Sequence, residues 1–513
     1  MAKVFSLMSR LYGEVKKNGV SNTYYKVVEK QVKNQAQKDY EDERLAALPT
    51  KEELDRQKKI LFMKDLTFSI VVPVYETPAL YLKQMIESVL GQTFCRVELC
   101  IADGSRSDAV EKTVSVYAST DSRIKYQRLE ENKGISENTN AALAMATGDY
   151  IGLLDHDDLL ERHALYEMRM AIAKNPEADV LYSDEDKVSF DLTHYFEPHF
   201  KPDYNPDLLR SNNYICHFLV FKRTLLETVG GFRQEFDGAQ DYDLVLRLTE
   251  AAKCVVHIPK VLYHWRSHEA STATNPMSKL YAYEAGRKAV EAHLERCKEE
   301  GTVSDTRFYG FYQTTYKVPE ELSVDLMVYD CNGENHKKIL NIFSSEFHRQ
   351  TRGNVIYYDN EFNKFVIFAK EQKLESQVLL FVRADLLETA PEQLIQLAVN
   401  GLRKGIGMAG GRILSEKGVL LGGRMEPGED GKLSFADAGL AKGFTGYFHK
   451  AILQQNTKGV PFELFAVRRE IFEQWNPKEY ASSEEAMQEL CAFVESQGFQ
   501  ITYVPSVTGV RKS

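Results

Sequence analysis

From residue 67 onward, short apolar runs rich in β-branched residues alternate with longer segments whose apolar residues recur at helical spacing. The short runs are typical of buried strands, and the longer segments are typical of amphipathic helices. Strands are predicted at 68–74, 97–102, 124–129 and 150–154, with helices at about 78–91, 108–118 and 135–146. This alternation predicts a parallel sheet of the α/β class, covered by helices on both faces.

Beyond Glu161 the pattern is less regular. The predicted elements are a helix to about Lys174, strands at 180–182, 215–222 and 254–258, and helices at 224–229, from about 241, and at 281–296. A chain of 513 residues is too long for one ordinary core. We therefore expect a helical N-terminal extension (1–66), an α/β domain (67–300) and a second α/β domain (301–513).

The N-terminal extension opens with a basic segment. Residues 1–38 hold eight Lys and Arg against two Glu, and five apolar side chains share one helical face: Val4, Leu7, Met8, Leu11 and Val15. A basic amphipathic helix of this kind lies on an anionic membrane surface, or it packs on the rest of the protein or on a second copy in a homodimer. The sequence leaves these alternatives open. Further on, Thr50 followed by Glu53 predicts a helix that begins with a capping box.

Composition narrows the class of protein. Hydrophobic residues make up 43% and charged residues 27% of the chain, as in soluble globular proteins. The net charge of −10 argues against a nucleic-acid partner. We see neither an apolar stretch of the ~18–20 residues that cross a bilayer nor a secretion signal. The seven cysteines are scattered without zinc-site spacing, so we expect reduced thiols and a cytoplasmic protein.

Carboxylates are concentrated where the strand at 150–154 ends. Asp155, Asp157 and Asp158 follow two leucines directly. Packing three negative charges together costs free energy unless a cation neutralises them, and a divalent metal that carries a phosphate is a suitable cation. The segments 73–76 and 103–105 also follow predicted strands, and the carboxyl ends of such strands meet at one edge of the sheet. The sequence therefore predicts a nucleoside diphosphate site at this edge.

The segment 68–296 resembles family 2 glycosyltransferases with the GT-A nucleotide-sugar-binding fold. Eight motifs carry the resemblance in the family's order. They are Val71-Val-Pro-Val-Tyr75, Ser88-Val-Leu-Gly-Gln-Thr93, Ala102-Asp-Gly-Ser105, Asn132-Lys-Gly134, Ala146 through Asp158, Gly230-Gly-Phe232, Gln240-Asp-Tyr-Asp243 and Tyr263-His-Trp-Arg266. The motifs span somewhat under half of the chain.

The resemblance implies roles for the donor site. Asp155 and Asp157 match the family's metal motif for Mg²⁺ or Mn²⁺, with Asp155 also close to the donor nucleotide. Asp103 matches the position that recognises the base. The remaining donor residues implied by the resemblance are Pro73, Tyr75 and Glu76 at the base, Asn132 and Gly134 at the nucleotide, Arg266 at the diphosphate and His264 at the metal.

The resemblance also implies an acceptor side. Asp241 matches the family's general base, which takes the proton of the acceptor hydroxyl in an inverting transfer. The residue before it is Gln240, where the family often has Glu. We expect Gln240, Trp265 and Asp184 to contact the donor sugar or the acceptor, while a solvated loop remains an alternative for the acids that follow Asp184.

The second half of the chain contains a weak echo of the first. Residues 379–385 resemble 153–159, residues 465–472 resemble the segment from 218, and 501–505 resemble 255–259. This alignment sets Phe381 against Asp155 and Arg383 against Asp157. We therefore expect a degenerate GT-A-like domain without a metal site, and an unrelated accessory domain is the alternative.

The function expected from these features is a metal-dependent inverting glycosyltransferase. It would use a nucleoside-diphosphate sugar, such as a UDP-hexose or dTDP-rhamnose, to extend a cell-surface polysaccharide or lipid-linked glycan at the cytoplasmic membrane face. Two alternatives stay open. A sugar-nucleotide pyrophosphorylase would carry a Gly-rich, basic loop after the first strand, which 73–77 lacks. A nucleotide-sugar-binding scaffold would not need the acids at 155, 157 and 241.

Overall fold

A computed structural model describes residues 39–267, 280–330, 351–386, 389–441 and 443–511. The predicted amphipathic helix at 1–38 lies outside these residues. The chain forms two compact units: unit 1 comprises Met1–Pro202, Ile215–Asp237 and Ala251–Lys279, and unit 2 comprises Asp203–Tyr214, Gly238–Glu250 and Leu280–Ser513. In the described ranges, no helix has both the length and the apolar character needed to span a bilayer.

Unit 1 is built on a nine-stranded sheet with the order β3-β2-β1-β4-β8-β6-β9-β5, and β7 pairs with β6. Its strands are β1 (Phe68–Val74), β2 (Val97–Asp103), β3 (Ile124–Arg128), β4 (Tyr150–Leu153), β5 (Leu159–Leu160), β6 (Val180–Ser189), β7 (Tyr195–His199), β8 (Leu219–Lys222) and β9 (Val255–Ser267). Its helices are α1 (residues 39–47), α2 (Lys51–Gln57), α3 (Ala79–Leu90), α4 (Ala109–Ala118), α5 (Ile135–Ala144), α6 (Ala164–Lys174) and α8 (Leu225–Val229).

The core of unit 1 follows from the apolar pattern. All seven residues of β1 are buried, as expected for a central strand covered on both faces. Helix α3 buries one face through Leu82, Met85, Ile86 and Val89, and each such side chain contributes roughly 1.5–3 kcal/mol. The predicted capping box at α2 is confirmed, because Thr50 and Glu53 exchange side-chain-to-backbone hydrogen bonds.

The sheet differs from the predicted one in two respects. Strands β3, β2, β1 and β4 are parallel, as predicted, but β8 runs antiparallel to both β4 and β6, so the sheet is mixed. Strands β6 and β9 also extend beyond their predicted ends, to Ser189 and Ser267. The register between them shifts near Ser183, and this irregularity carries β9 past Pro259.

Unit 2 contains a second large sheet with the order β13-β12-β14-β20-β15-β21-β19, and β16 pairs with β15. Its strands are β10 (Gly301–Asp305), β11 (Tyr312–Tyr316), β12 (Val324–Tyr329), β13 (Val355–Tyr358), β14 (Val378–Arg383), β15 (Ile406–Ser415), β16 (Leu420–Gly422), β17 (Met425–Pro427), β18 (Leu433–Phe435), β19 (Gln455–Thr457), β20 (Leu464–Arg468) and β21 (Gln500–Arg511). The helices are α7 (Pro206–Ser211), α9 (Gln240–Ala251), α10 (Leu280–Cys297), α11 (Phe362–Lys370), α12 (Pro391–Leu402), α13 (Arg469–Gln474) and α14 (Ser483–Ser496).

Two short segments from within residues 67–300 belong to unit 2, as does α10 (Leu280–Cys297), and buried polar contacts hold the first of the two short segments. In α7, the carboxylate of Asp207 binds the Arg403 guanidinium and accepts a hydrogen bond from the Thr502 hydroxyl. Arg210 makes two hydrogen bonds to the Glu299 carboxylate, at 2.6 and 3.1 Å. Helix α9, which carries Asp241, is the other segment.

The two large sheets share one topology. Strands β13, β12, β14, β20, β15 and β21 follow the same spatial order as β2, β1, β4, β8, β6 and β9. The directions also agree, because β14 and β15 run antiparallel to β20, as β4 and β6 do to β8, and the other adjacent pairs are parallel. The sheet of unit 2 is therefore a repeat of the sheet of unit 1.

The register of the repeat corrects the predicted alignment by two residues. Tyr150 and Val378 are the first residues of β4 and β14, and each pairs with the first residue of the neighbouring strand, Phe68 or Val324. Counting from these positions sets Arg383, not Phe381, against Asp155, and Asp385 against Asp157. A guanidinium therefore stands where unit 1 has its first acid, and the absence of a metal site in unit 2 stays a prediction.

Candidate active site

The site lies at one edge of the unit 1 sheet, where β1, β2 and β4 end and β8 begins. Val74 pairs with Asp103 across β1 and β2, and Val71 pairs with Leu153 across β1 and β4. The antiparallel ladder between β4 and β8 ends at the pair Gly152 and Val220. The predicted convergence of segments 73–76, 103–105 and 155–158 on one edge therefore follows from the register.

The acidic turn after β4 presents two carboxylates and buries a third. The Asp155 side chain is 48% exposed and that of Asp157 is 21% exposed. Asp158 is buried and accepts hydrogen bonds from the Tyr263 hydroxyl at 2.6 Å and the Arg266 amide at 2.7 Å. Burial raises the pKa of Asp158 well above its usual range, and the Asp157 and Asp155 carboxylates raise it further. The turn therefore concentrates negative charge that a cation would relieve.

Four buried polar atoms in or beside this turn have no hydrogen-bond partner within the described residues: Arg266 Nη2, Trp265 Nε1, His217 Nδ1 and His156 Nδ1, the last of which lies 3.6 Å from an Asp157 oxygen. Arg266 is anchored through its other nitrogens, since Nε donates to the Asp157 carbonyl at 2.6 Å and Nη1 to the Phe190 carbonyl at 3.0 Å. Buried unpaired donors are rare in proteins and mark places where a polar ligand binds. Arg266 therefore keeps one donor for an anion, as the predicted diphosphate role requires.

Asp103 ends β2 with its carboxylate fully buried. Oδ1 accepts a hydrogen bond from the Ser105 amide, and Oδ2 accepts one from the Tyr126 hydroxyl, both at 2.8 Å. These bonds hold the carboxylate in one orientation at the edge of the sheet. On the neighbouring strand, Pro73 is buried, and Tyr75 just beyond its end is 41% exposed.

The Glu76 carboxylate is hydrogen-bonded to the neighbouring loop at 106–107. Its carboxylate accepts hydrogen bonds from the Arg106 and Ser107 amides at 2.8 and 3.1 Å, and from the Ser107 hydroxyl at 2.7 Å. These bonds, with that from the Ser107 hydroxyl the strongest, lower the pKa of Glu76. Glu76 therefore fixes the loop after Asp103, which gives it a supporting place in the predicted base pocket.

The turn at 132–134 is brought against the Asp103 loop. Asn132 Oδ1 accepts hydrogen bonds from the Gly134 amide at 3.1 Å and from Asn138 Nδ2 at 2.8 Å. A Cβ at Gly104 would lie 2.8 Å from that same Asn138 nitrogen, so the close approach requires glycine. Gly134 precedes α5 with φ of 94°, a conformation that favours glycine.

The structure corrects the prediction of His264 as a metal ligand. Its Nδ1 lies 2.5 Å from an Asp186 oxygen and its Nε2 lies 3.3 Å from a Glu161 oxygen. Burial alone would lower the pKa of His264, but these two carboxylates raise it to about 9. A metal ligand must be a neutral imidazole with a free nitrogen. His264 instead holds β9 in place beside Trp265 and Arg266.

Asp184 and the acids after it are not a solvated loop. They lie on β6 and are buried, and each has specific partners. Asp184 Oδ1 accepts a hydrogen bond from the Lys201 amide and contacts His257 Nε2, both at 2.8 Å. Glu185 pairs with the Lys201 ammonium at 3.2 Å. These contacts hold the Asp184 carboxylate within the sheet, and its predicted contact with the sugar or the acceptor stays a prediction.

His217 is a site residue that the sequence analysis missed. It lies just before β8, is 7% exposed, and has its Nε2 3.7 Å from an Asp155 oxygen. Its ring stacks on Tyr263 with centroids 4.5 Å apart and meets the Trp265 ring edge-on at 5.0 Å. A lone histidine next to a cysteine carries no motif, and only the antiparallel pairing of β8 with β4 reveals the proximity.

Asp241 and Gln240 belong to unit 2. Asp241 lies in the first turn of α9, where its Oδ2 accepts a hydrogen bond from Asn213 Nδ2 at 3.0 Å. Gln240 Oε1 accepts one from the Gly238 amide at 2.8 Å and so closes the start of the helix. Asp243 is buried and paired with Arg247 at 2.7 Å. The role of Asp241 as a general base stays a prediction.

The residues of the acidic turn fit a hard divalent cation. Asp155 and Asp157 offer partly exposed carboxylate oxygens, which Mg²⁺ and Mn²⁺ prefer and supplement with phosphate oxygens and water. Within the described residues, the trio of ligand types whose atoms all lie within 4.8 Å of one another is found elsewhere, at Glu250, His293 and Cys297 of unit 2. There Arg296 already pairs with Glu250, and an Arg210 nitrogen contacts His293 Nε2. That trio is therefore a hydrogen-bond network.

Residues 69–230 match the sequence profile described as Glycosyl transferase family 2. This match and the sheet order of unit 1 confirm the predicted fold class, with a GT-A-like sheet in unit 1 and a second α/β domain in unit 2. The match contains the acidic turn, Asp103 and His217, and it ends before Asp241 and Arg266.

Three relatives show how far the similarity extends. An uncharacterized protein of Sinorhizobium fredii is 32% identical over 475 residues, which cover 85% of this chain and 52% of the relative. The O-antigen biosynthesis protein RfbC of Myxococcus xanthus is 38% identical over 237 residues, 46% of this chain and 18% of the relative. An uncharacterized glycosyltransferase of Rickettsia typhi is 30% identical over 241 residues, 44% of this chain and 72% of the relative.

The chain thus spans about half the length of the Sinorhizobium relative and under a fifth of RfbC. It covers most of the Rickettsia glycosyltransferase at 30% identity. This coverage and the profile match agree with the geometry of the acidic turn. The chain belongs to glycosyltransferase family 2.

Proposed function

We propose that the protein is a metal-dependent inverting glycosyltransferase. It moves a sugar from a nucleoside diphosphate, as in a UDP-hexose or dTDP-rhamnose, to a hydroxyl of a growing cell-surface polysaccharide or lipid-linked glycan. The observation that carries the proposal is the acidic turn at Asp155–Asp158 beside the unpaired Nη2 of Arg266. The similarity to an O-antigen biosynthesis protein supports a polysaccharide product.

On the donor side, Asp103 orients the base, and Arg266 donates to the diphosphate. Asp155 and Asp157 hold the divalent cation, which when bound stabilises charge on the leaving nucleoside diphosphate. Arg266 is hydrogen-bonded to the Asp157 carbonyl, which fixes its guanidinium relative to the acidic turn. These charged side chains therefore need little rearrangement during the reaction. Tyr75, which is exposed just after β1, is the aromatic residue that we propose for contact with the nucleotide base.

On the acceptor side, inversion requires a carboxylate that takes the hydroxyl proton while the oxygen attacks the anomeric carbon. The nucleoside diphosphate leaves from the opposite face of that carbon. We propose Asp241 for this proton transfer, because it matches the family's base. The hydrogen bond that Asn213 donates to Oδ2 orients the Asp241 carboxylate.

The cellular setting is also part of the proposal. We propose a cytoplasmic enzyme that meets its acceptor at the inner membrane face, with residues 1–38 as the membrane contact. The full chain should co-sediment with liposomes that contain anionic lipid. A chain that lacks residues 1–38 should not. Equal binding by the full and the shortened chain contradicts the membrane role and leaves the transferase proposal untouched.

The decisive experiment measures nucleoside diphosphate release from a panel of UDP-, GDP- and dTDP-sugars with Mg²⁺ or Mn²⁺, with and without acceptor glycans. Asp155→Asn should lower release by about 100-fold or more and weaken Mn²⁺ binding. Asp241→Asn should lower it by about 10²–10⁴-fold without a change in donor or Mn²⁺ affinity.

The matched control is Asp55→Asn, an exposed acid on α2, which should behave as wild type. Transfer that survives both Asp155→Asn and Asp241→Asn contradicts the mechanism. Formation of a nucleoside triphosphate and a sugar 1-phosphate from the nucleotide sugar and added inorganic pyrophosphate, without release of nucleoside diphosphate, would instead support the pyrophosphorylase alternative.

A further inference from the structure

The site residues lie at the ends of neighbouring strands, so the order of the strands gives the order of these residues along the edge of the sheet. Asp103 ends β2, Tyr75 follows β1, Asp155 follows β4 and His217 precedes β8, and these four strands are consecutive neighbours. Adjacent strands lie ~4.8 Å apart, so roughly 10 Å separate the β2 and β4 positions, and one further step reaches β8. A base at Asp103 and a diphosphate at Asp155 therefore leave the sugar at His217.

The register makes this placement specific. The pairs Tyr150–Lys222, Ile151–Phe221 and Gly152–Val220 run along the antiparallel ladder. Continued past the end of the ladder, the same register sets Asp155 directly across from His217, and the 3.7 Å between Asp155 Oδ2 and His217 Nε2 agrees with it. His217 is thus the cross-strand partner of the first acid of the turn.

The imidazole is held rigidly and has unused hydrogen-bonding capacity. Stacking on Tyr263 fixes the plane of the ring, and the Tyr263 hydroxyl is itself bound to Asp158. Nδ1 is buried without a partner, which favours the tautomer with the proton on Nε2, because a buried bare acceptor is better tolerated than a buried unpaired donor. The Nε2–H group then points towards the side of the acidic turn.

The repeat in unit 2 shows that this position changes together with the acid. The ladder between β14 and β20 pairs Val378 with Arg468 and Phe381 with Phe465, and its continuation sets Arg383 across from Glu463. Arg383 Nη1 lies 3.6 Å from a Glu463 oxygen. Arg383 stands at the position of Asp155, and the acid Glu463 stands at the position of His217. In both units the two positions are therefore in polar contact across the ends of the two strands.

We propose that His217 recognises the transferred sugar, its Nε2–H donating a hydrogen bond to a sugar hydroxyl of the bound nucleotide sugar. The inference rests on the proposed function and adds a specificity residue to it. Phosphate charge is met by Arg266 and by the cation at Asp155 and Asp157, and a side-chain N–H next in line suits a sugar hydroxyl. The unpaired Trp265 Nε1, whose ring meets that of His217, is a second donor at the same place.

The test separates sugar recognition from binding of the diphosphate. Affinities for UDP-glucose, UDP-N-acetylglucosamine, GDP-mannose and dTDP-rhamnose, and for UDP, GDP and dTDP, are measured by titration calorimetry with saturating Mn²⁺. The informative quantity is the affinity of the preferred nucleotide sugar divided by that of its own nucleoside diphosphate. Two variants of similar size differ only in reach: the amide nitrogen of His217→Gln replaces Nε2, whereas that of His217→Asn replaces Nδ1.

His217→Asn should lower the ratio about tenfold, the value of one hydrogen bond, with nucleoside diphosphate and Mn²⁺ affinities within about twofold of wild type. His217→Gln should keep most of the ratio. His217→Phe, which keeps the stack on Tyr263, should behave like the Asn variant and serves if that variant fails to fold. The control is His163→Gln, since His163 is 5% exposed and also has a buried unpartnered Nδ1.

An unchanged ratio in both the Asn and Phe variants overturns the inference and leaves the proposed function standing. An equal loss of nucleotide-sugar, diphosphate and Mn²⁺ affinity also overturns it, because His217 would then serve the metal or the fold. A wild-type protein that binds none of the nucleotide sugars contradicts the proposed function itself, and the inference falls with it.

Discussion

At the scale of single residues, charge balance decides what each acid of the site can do. Asp186 and Glu161 are matched by the His264 imidazolium, by Arg44 3.2 Å from Glu161, and by the Tyr40 hydroxyl 2.5 Å from Asp186. Asp155 and Asp157 have partly exposed side chains, at 48% and 21%, whereas the acids of β6 are buried, and this accessibility makes Asp155 and Asp157 the candidate metal ligands.

His264 should therefore contribute a pH-dependent part of the stability. Its pKa is raised from 6.5 to about 9 in the folded protein, so the contribution is complete below pH 6.5, declines as pH rises, and is gone above about 9. His264→Gln should lower the free energy of unfolding by about 3 kcal/mol at pH 6 and by much less at pH 9.5. Urea denaturation at both pH values measures this.

The control for that measurement is His194→Gln, because the His194 side chain is 72% exposed. It should change the free energy of unfolding little at either pH. If the His264 variant were equally destabilised at pH 6 and at pH 9.5, the loss would come from packing and the imidazolium assignment would be wrong.

At the scale of elements, apolar periodicity predicted the elements that bury apolar side chains. β1 has the predicted bounds Phe68–Val74, and α3, α4 and α6 end within a residue or two of expectation. Apolar periodicity did not predict the segments whose burial depends on polar partners far away in the sequence. Residues 183–187 look solvated in the sequence, but a tyrosine 146 positions away pairs with Asp186, and such a partner leaves no local signal. For the same reason the extension of β9, the place of His264 and the approach of His217 could not be predicted.

Glu98 shows how one buried acid positions an element of the site. Thr147 lies in the connection between α5 and β4 and donates hydrogen bonds to the Glu98 carboxylate from its amide, at 2.6 Å, and its hydroxyl, at 2.9 Å. The Lys125 ammonium lies 2.7 Å from the same carboxylate. Burial alone would raise the pKa of Glu98, but the bonds from Lys125, Thr147 and Ser69 lower it from 4.5 to about 2. The acid therefore fixes the start of β4, the strand that ends in the acidic turn.

Glu98→Gln should lower the free energy of unfolding by about 2 kcal/mol at pH 7, since charge-assisted hydrogen bonds are lost. Because the folded pKa lies below the unfolded one, the wild-type advantage is present above pH 4.5 and shrinks as pH falls towards 2. Denaturation at pH 7, 5 and 3.5 tests this, with the exposed Glu87→Gln as control. A difference between wild type and Glu98→Gln that is constant over this range would mean that the carboxylate charge is not involved.

At the scale of the whole molecule, the chain contains two sheets of one topology, and only the sheet of unit 1 has acids at both positions of the pair Asp155 and Asp157. In unit 2 the position of Asp155 is taken by Arg383, whose guanidinium makes two 2.6 Å hydrogen bonds to Asp385, the counterpart of Asp157. Its side chain is 9% exposed. A covalently attached cation thus lies in unit 2 at the strand end where we propose a divalent cation for unit 1, and it balances the charge of Asp385.

This difference predicts the stoichiometry of metal binding. Titration of the full chain with Mn²⁺, followed by the electron paramagnetic resonance signal of the free ion, should reach saturation at about one ion per chain, because two carboxylates suffice only where no guanidinium competes. Asp155→Asn combined with Asp157→Asn should abolish this binding, whereas Arg383→Ala should leave the unit 1 site unchanged. Cys297→Ala tests the trio in α9 and α10 and should have no effect, because Arg210 and Arg296 already occupy His293 and Glu250. One ion retained by the double variant would place a metal in unit 2 and contradict the view of unit 2 as a repeat without metal chemistry.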